Sequence, residues 1–126
     1  MTDEQAQVDA VLALLGPALS PIPVYDIGKV PTKRPAEYVE VMVQRRFGGE
    51  SRLAGGRGLV PWRIFVRGVS QLTAANARRR LATATAALDR QFLTVAGESH
   101  FVEFEGAETV GPDESWFSGS ATYTYH

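Results

Sequence analysis

From Gln71 to Ala96 the chain reads QLTAANARRRLATATAALDRQFLTVA, its longest segment without glycine or proline. Ala77, Leu81, Ala84, Leu88 and Phe92 recur at steps of four, three, four and four, which places them on one stripe of an amphipathic helix. Arg78, Arg79, Asp89 and Arg90 fall on other faces. Thr73 is placed to cap the N-terminus, and Gly97 stands where a helix normally stops. The spacing predicts a helix of roughly 22–25 residues, about 35 Å long. Such a rod crosses a whole small sheet, so the remaining segments are read as strands and connections built against its apolar stripe.

The N-terminal segment predicts a shorter helix over Asp3–Leu15. Val8, Val11, Leu12 and Leu15 keep the helical pattern, Thr2 or Asp3 caps it, and Gly16-Pro17 ends it. Pro21 and Pro23 make the next stretch extended. Val24–Asp26 is a short strand, and Gly28–Pro35 is a turn or loop. Glu37–Arg46 and Val60–Val69 alternate with period two and are rich in β-branched and aromatic residues, so both read as strands and antiparallel neighbours. Val39, Val41 and Val43 share one face of the first; Trp62, Ile64 and Val66 oppose Arg63, Phe65 and Arg67 on the second.

Between them lies FGGESRLAGGRGL, Phe47–Leu59, too long for a tight hairpin turn. Its glycines and few large apolar groups predict a long mobile hairpin arm that orders against a partner. After the long helix, His100–Glu105 and Trp116–Tyr125 form a last strand pair, joined through Gly106–Ser115 with its Gly-Pro-Asp turn signal. In the final strand Phe117, Ala121, Tyr123 and Tyr125 share a face. The order α-β-β-β-α-β-β predicts one α+β domain over residues 1–126, a mostly antiparallel sheet packed against one long and one short helix.

At 126 residues and 44% apolar content the chain supports one modest core. A net charge of −1 argues against a polyanion binder, so nucleic-acid binding would require a local patch. With no cysteine, disulfides and thiolate zinc sites are excluded. The N-terminus has Asp3 and Glu4 where a signal peptide has Lys or Arg, and no apolar run reaches membrane-spanning length. The expectation is a soluble chain, intracellular at synthesis, with no membrane partner.

The residues offer no catalytic, cofactor or metal constellation. Ala54–Gly58 (AGGRG) is glycine-rich, but no Lys-Ser/Thr follows and a strand rather than a helix comes next, so it is no phosphate loop. His100 and His126 lack the spaced partners of a metal site. Glu103 and Glu105 alternate on a strand and form its solvent face. No serine stands in a nucleophile elbow. The chain is therefore read as a non-enzyme.

The arginines are the remaining signal. Arg45, Arg46, Arg52 and Arg57 gather at one end of the central hairpin and along its arm; Arg78, Arg79 and Arg80 occupy the first turns of the long helix. One reading is a solvated helix face with ordinary strand charges. The sharper one is that they form an assembly interface, pairing between subunits with Glu4, Glu37, Glu40 or Glu103, or lining a pore.

The pattern as a whole resembles the tail terminator (tail completion) proteins of long-tailed bacteriophages. The resemblance is carried by a short N-terminal helix, Pro23–Asp26 (PVYD), Arg34–Val41 (RPAEYVEV), a loop, Trp62–Arg67 (WRIFVR), an alanine-rich helix ending Ala87-Leu88-Asp89, and Trp116–Tyr125 (WFSGSATYTY). It implies a structural protein that forms a hexameric ring. The ring caps the head-proximal end of the tail tube, stops its polymerisation and joins the tail to the head connector. It also implies an α+β sandwich whose long loop reaches toward neighbours, and no catalytic residues. The implied partners are other copies of the chain, the tail-tube protein and the connector. The implied location is the virion tail, after the host cytoplasm. The alternatives are another neck or head–tail joining protein, a small ligand-binding domain with a cavity between helix and sheet, and a nucleic-acid-binding module.

Overall fold

Val39, Val41 and Val43 are buried, and so are Trp62, Ile64, Val66, Ala121, Tyr123 and Tyr125, while the residues between most of them reach solvent. That alternation arises when one face of a sheet is covered and the other is wet. The computed structural model describes residues 4–45 and 62–126. The elements are α1 (Glu4–Leu19), β1 (Val24–Asp26), β2 (Glu37–Arg45), β3 (Trp62–Ser70), α2 (Ala74–Leu88), β4 (Phe92–Val95), β5 (Glu98–Phe101), β6 (Glu103–Asp113) and β7 (Trp116–Tyr125). The predicted arm at 47–59 lies outside the described residues.

The fold is α+β. Five strands form one sheet in the order β1-β2-β3-β7-β6, and β4 and β5 form a separate two-stranded sheet. β1 runs parallel to β2; the other pairings are antiparallel. Within the main sheet and its helices the order is the predicted α-β-β-β-α-β-β, with the β4–β5 hairpin added after α2. Both helices cover the same face, α1 against β1 and β2, and α2 against β3, β7 and β6. The core between them holds Val11, Leu15, Ala77, Leu81, Ala84 and Leu88 from the helices, with the inward residues of β2, β3 and β7.

The helices depart from expectation in length. α2 spans 15 residues and α1 spans 16, so there is no long and short pair. The N-terminus of α2 is as predicted: the Thr73 hydroxyl accepts from Asn76 N–H at 3.0 Å. Its stripe, however, ends at Leu88, where Asp89 is extended and Arg90 takes a left-handed φ of 59°. Asp89 Oδ1 accepts from Phe104 N–H at 2.9 Å, and Arg90 N–H donates to Val102 C=O. These contacts with the start of β6 and the residue before it end the helix. Phe92–Val95 then turns into a strand, where alternation buries Leu93 and Val95 and leaves Phe92 out. Gly97 sits in the β4–β5 turn, where Ala96 and Gly97 both have positive φ, as a two-residue hairpin loop of this hand requires.

α1 runs through Gly16-Pro17 to Leu19, one turn beyond Leu15. Proline loses a hydrogen bond there, but the extra turn puts Leu19 one step beyond Leu15 on the buried stripe. The expected connection Gly106–Ser115 is mostly strand. β6 reaches Asp113 through two register shifts, and only Glu114-Ser115 turn into β7. β6 is an edge strand, which is where Pro112, lacking an N–H, can be accommodated.

Candidate assembly surface

The face of the sheet away from the helices carries charge in cross-strand order. Glu40 on β2 stands opposite Arg67 on β3. Arg67 Nη1 lies 3.5 Å from Glu40 Oε1, and Nη2 lies 2.7 Å from Asp113 Oδ2 on β6. Arg63 Nε lies 2.9 Å from Glu105 Oε1, an ion pair without the alignment of a hydrogen bond. Two arginines of β3 thus reach over β7 to acids of β6. Such partly exposed pairs contribute about 0–1 kcal/mol each to stability, so their main effect is to fix which charges face outward.

One end of this face is closed by aromatics. Tyr38 is 1% exposed although it lies on the outward side. Its ring stands edge-on to Tyr25 at 6.1 Å and to Trp116 at 6.2 Å. Arg34, from the β1–β2 connection, lies 4.0 Å over the Trp116 ring and donates to the Tyr38 hydroxyl at 3.1 Å. A cation over an aromatic face and edge-to-face rings are each favourable by about 0.5–1.5 kcal/mol, and here they hold Arg34 against the sheet.

Among the described residues, the singled-out arginines of β2 and α2 are not brought together. Arg45 ends β2, its guanidinium 5.2 Å from the ring centre of Trp62. Arg78 and Arg79 are exposed in the early part of α2, which starts beside the opposite end of the sheet; Arg79 donates to the Asn76 side chain at 3.3 Å. The length of β2, roughly 25–30 Å at about 3.3 Å per residue, separates the two groups. Arg46, Arg52 and Arg57 lie outside the described residues. Two of the four expected acidic partners, Glu37 and Glu40, are engaged within the chain. Glu37 accepts from Arg80 Nε and Nη2 at 2.9 and 2.6 Å and from Asn76 Nδ2 at 2.7 Å, tying α2 to the start of β2. Glu40 is paired with Arg67. Glu4 and Glu103 are exposed.

What the sequence reading missed is an exposed aromatic pair. Phe92 is 64% and Phe101 44% exposed, cross-strand partners on the β4–β5 hairpin with ring centres 5.4 Å apart. By spacing alone Phe92 continues the helix stripe. The signal that could have found it is the alternation Phe-Leu-Thr-Val followed by Ala-Gly and a second short alternating run. Phe104 is 43% exposed and packs edge-on against Tyr123.

Between the start of α1 and the free margin of β2 lies an open groove of about 510 Å³, lined by Glu4, Gln5, Val8, Asp26, Ile27, Met42, Val43 and Gln44. It is open to solvent and is lined by Val8 and Val43 at the margin of the core. Trp62 is 7% exposed in the core, so its ring is not presented for stacking on a base. Among the described residues no group of three or more His, Cys, Asp or Glu side chains is gathered to hold a metal ion, and no helix is long and apolar enough to cross a membrane. Among the described residues, two side chains have shifted titration. Burial pushes the Tyr125 hydroxyl well above the ordinary phenol range. Burial also raises Tyr123, opposed by its 2.7 Å hydrogen bond with Thr85 and assisted by the nearby Asp89 charge.

No protein-family model matches the sequence, and a search of curated proteins finds no match. Solved structures do match. One, designated only by a serial identifier, superposes with a TM-score of 0.74 at 14% identity, covering 98% of this chain and 94% of its own. Another is a chain from the virion of a native gene transfer agent particle, with a TM-score of 0.56 at 17% identity, covering 91% of this chain and 81% of that one. At these identities the likeness is one of fold, and it spans nearly the whole α+β architecture.

Proposed function

We propose that this chain is a virion structural subunit that forms a ring at the head-proximal end of a phage-type tail. There it caps the tail tube, stops its polymerisation and joins it to the head connector. The observation that carries the reading is the shared fold with a chain of a gene transfer agent virion over 91% of the present sequence. The sequence pattern from Pro23 to Tyr125 points the same way, since it resembles tail terminators in element order. The role is one of binding, without catalysis. The sheet's polar outer face, an edge strand at β6 and an exposed aromatic pair are features through which copies and a tube can meet. The subunit would occupy the host cytoplasm before assembly and the tail afterwards.

The test is to mix the purified chain with tail tubes polymerised from the tube protein of the same virus and to image the products by electron microscopy. A ring at one tube end, with growth arrested there, is the expected result. Tubes that grow to unaltered lengths with bare ends would overturn the reading.

A further inference from the structure

The β6 margin of the main sheet and the connection that leaves the opposite margin carry charge of opposite sign. β6 forms one margin. Residues 98–114, from β5 through the β6–β7 turn, include Glu98, Glu103, Glu105, Glu108, Asp113 and Glu114 and no lysine or arginine. Arg63 and Arg67 engage Glu105 and Asp113 from the outer face, whereas Glu103 and Glu108 are exposed along the strand. β1 forms the other margin. The connection that leaves it, residues 27–36, holds Lys29, Lys33 and Arg34 and no acid. Arg34 is turned in over Trp116, while Lys29 and Lys33 are exposed and Ile27 beside them is 52% exposed.

We propose that the β6 margin of one copy docks head to tail against the Ile27–Lys33 surface of a second copy, with Glu103 and Glu108 facing Lys29 and Lys33. Complementary charge carried on opposite margins of one chain favours another copy of that chain as the occupant. Because the two surfaces differ, the contact is heterologous, and each added copy leaves a free margin for the next. A heterologous contact rotates each copy relative to the last, and a ring follows where that rotation closes. β6 itself disfavours a hydrogen-bonded continuation of the sheet. Its register shifts at Phe104/Gly106 and Glu108/Gly111, together with Pro112, interrupt the ladder an incoming strand would need. Contact at this margin is therefore made by side chains, with Ile27 as the apolar anchor.

This deepens the ring reading, and its geometry rests on it, but the two can fail separately. Two charge-reversed chains, K29E/K33E and E103K/E108K, would be compared with the wild type by sedimentation velocity over a salt series, alone and as an equimolar mixture. The wild type should self-associate, less so at high salt. Each variant alone should associate on the order of tenfold more weakly or worse, because like charges then face each other. The mixture should regain association, since every junction again pairs opposite signs, and this also controls for folding. A wild type that stays monomeric at low salt up to its solubility limit overturns the inference. So do variants that associate like the wild type, or a mixture that stays dissociated. Tube capping retained by both variants would remove this interface and leave the ring reading standing; loss of capping by the wild type would remove the reading itself.

Discussion

Tyr125 donates from its hydroxyl to Gln7 Oε1 at 2.5 Å, a buried bond that joins the last strand to the first helix across nearly the whole chain. Tyr125 is 1% and Gln7 3% exposed. Removing one partner leaves a buried amide with no substitute from water, at a cost of about 1–3 kcal/mol. Tyr125→Phe should therefore destabilise by that amount in urea unfolding. Tyr125→Phe combined with Gln7→Leu should cost clearly less than the two single changes summed, because no polar atom is then stranded. Additive costs would mean that the pair is not coupled.

The close approach of α2 to the sheet depends on Gly68. A Cβ added there would lie 2.9 Å from Leu81 Cγ and 3.0 Å from the Ala77 carbonyl oxygen. The backbone oxygen cannot move aside without shifting the helix, so Gly68→Ala should cost about 1–3 kcal/mol. At Gly106 a Cβ meets nothing within 4 Å, and φ is not in the left-handed region. Gly106→Ala should stay within about 0.5 kcal/mol of wild type. Equal unfolding midpoints for the two variants would contradict the packing described.

Glu37 holds α2 to β2 through both carboxylate oxygens, with the Arg80 guanidinium on one and the Asn76 amide on the other. Its side chain is 9% exposed, so this contact is less screened than the pairs on the outer face. Glu37→Ala should cost about 1.5–3 kcal/mol, the range for hydrogen bonds to a charged group. Arg80→Lys should recover only part of the wild-type stability, since an ammonium cannot reproduce the two-nitrogen contact. Denaturant unfolding of both variants checks this; full stability in Arg80→Lys would reduce the contact to a simple charge effect.

The parts of the fold that local chemistry decides were legible in the sequence. β2, β3 and β7 follow from period-two alternation, and the Thr73 cap from a hydroxyl ahead of a helical stripe. The end of α2 was not legible. Phe92 continues the helical spacing from Leu88, and what stops the helix is Phe104 N–H bonding Asp89 and Val102 C=O bonding Arg90, contacts with residues more than ten positions away. β6 was hidden because glycine and proline normally signal a turn, yet here Gly106, Gly111 and Pro112 lie in or beside the irregular stretches of an edge strand. At the candidate surface the charges were legible but their partners were not. Whether Glu37 meets Arg80 of its own chain or an arginine of another depends on how a helix and a strand are placed side by side.

Alkaline pH should expose the two buried tyrosines of β7. Both hydroxyls have folded-state pKa values raised above 10.0, chiefly by burial. The neutral form is therefore favoured in the folded chain, while the unfolded chain ionises more readily. By linkage, the stability tied to these groups is fully present below the unfolded pKa of 10.0 and is lost as pH rises from there toward the folded values. Denaturant midpoints should fall above pH 10, with tyrosinate absorbance from Tyr123 and Tyr125 emerging together with unfolding rather than before it. Tyr125→Phe starts from a lower stability, for the reason given by Gln7, but should show a shallower alkaline decline because one titrating group is gone. An unchanged slope in that variant would mean that Tyr125 does not contribute to the alkaline transition.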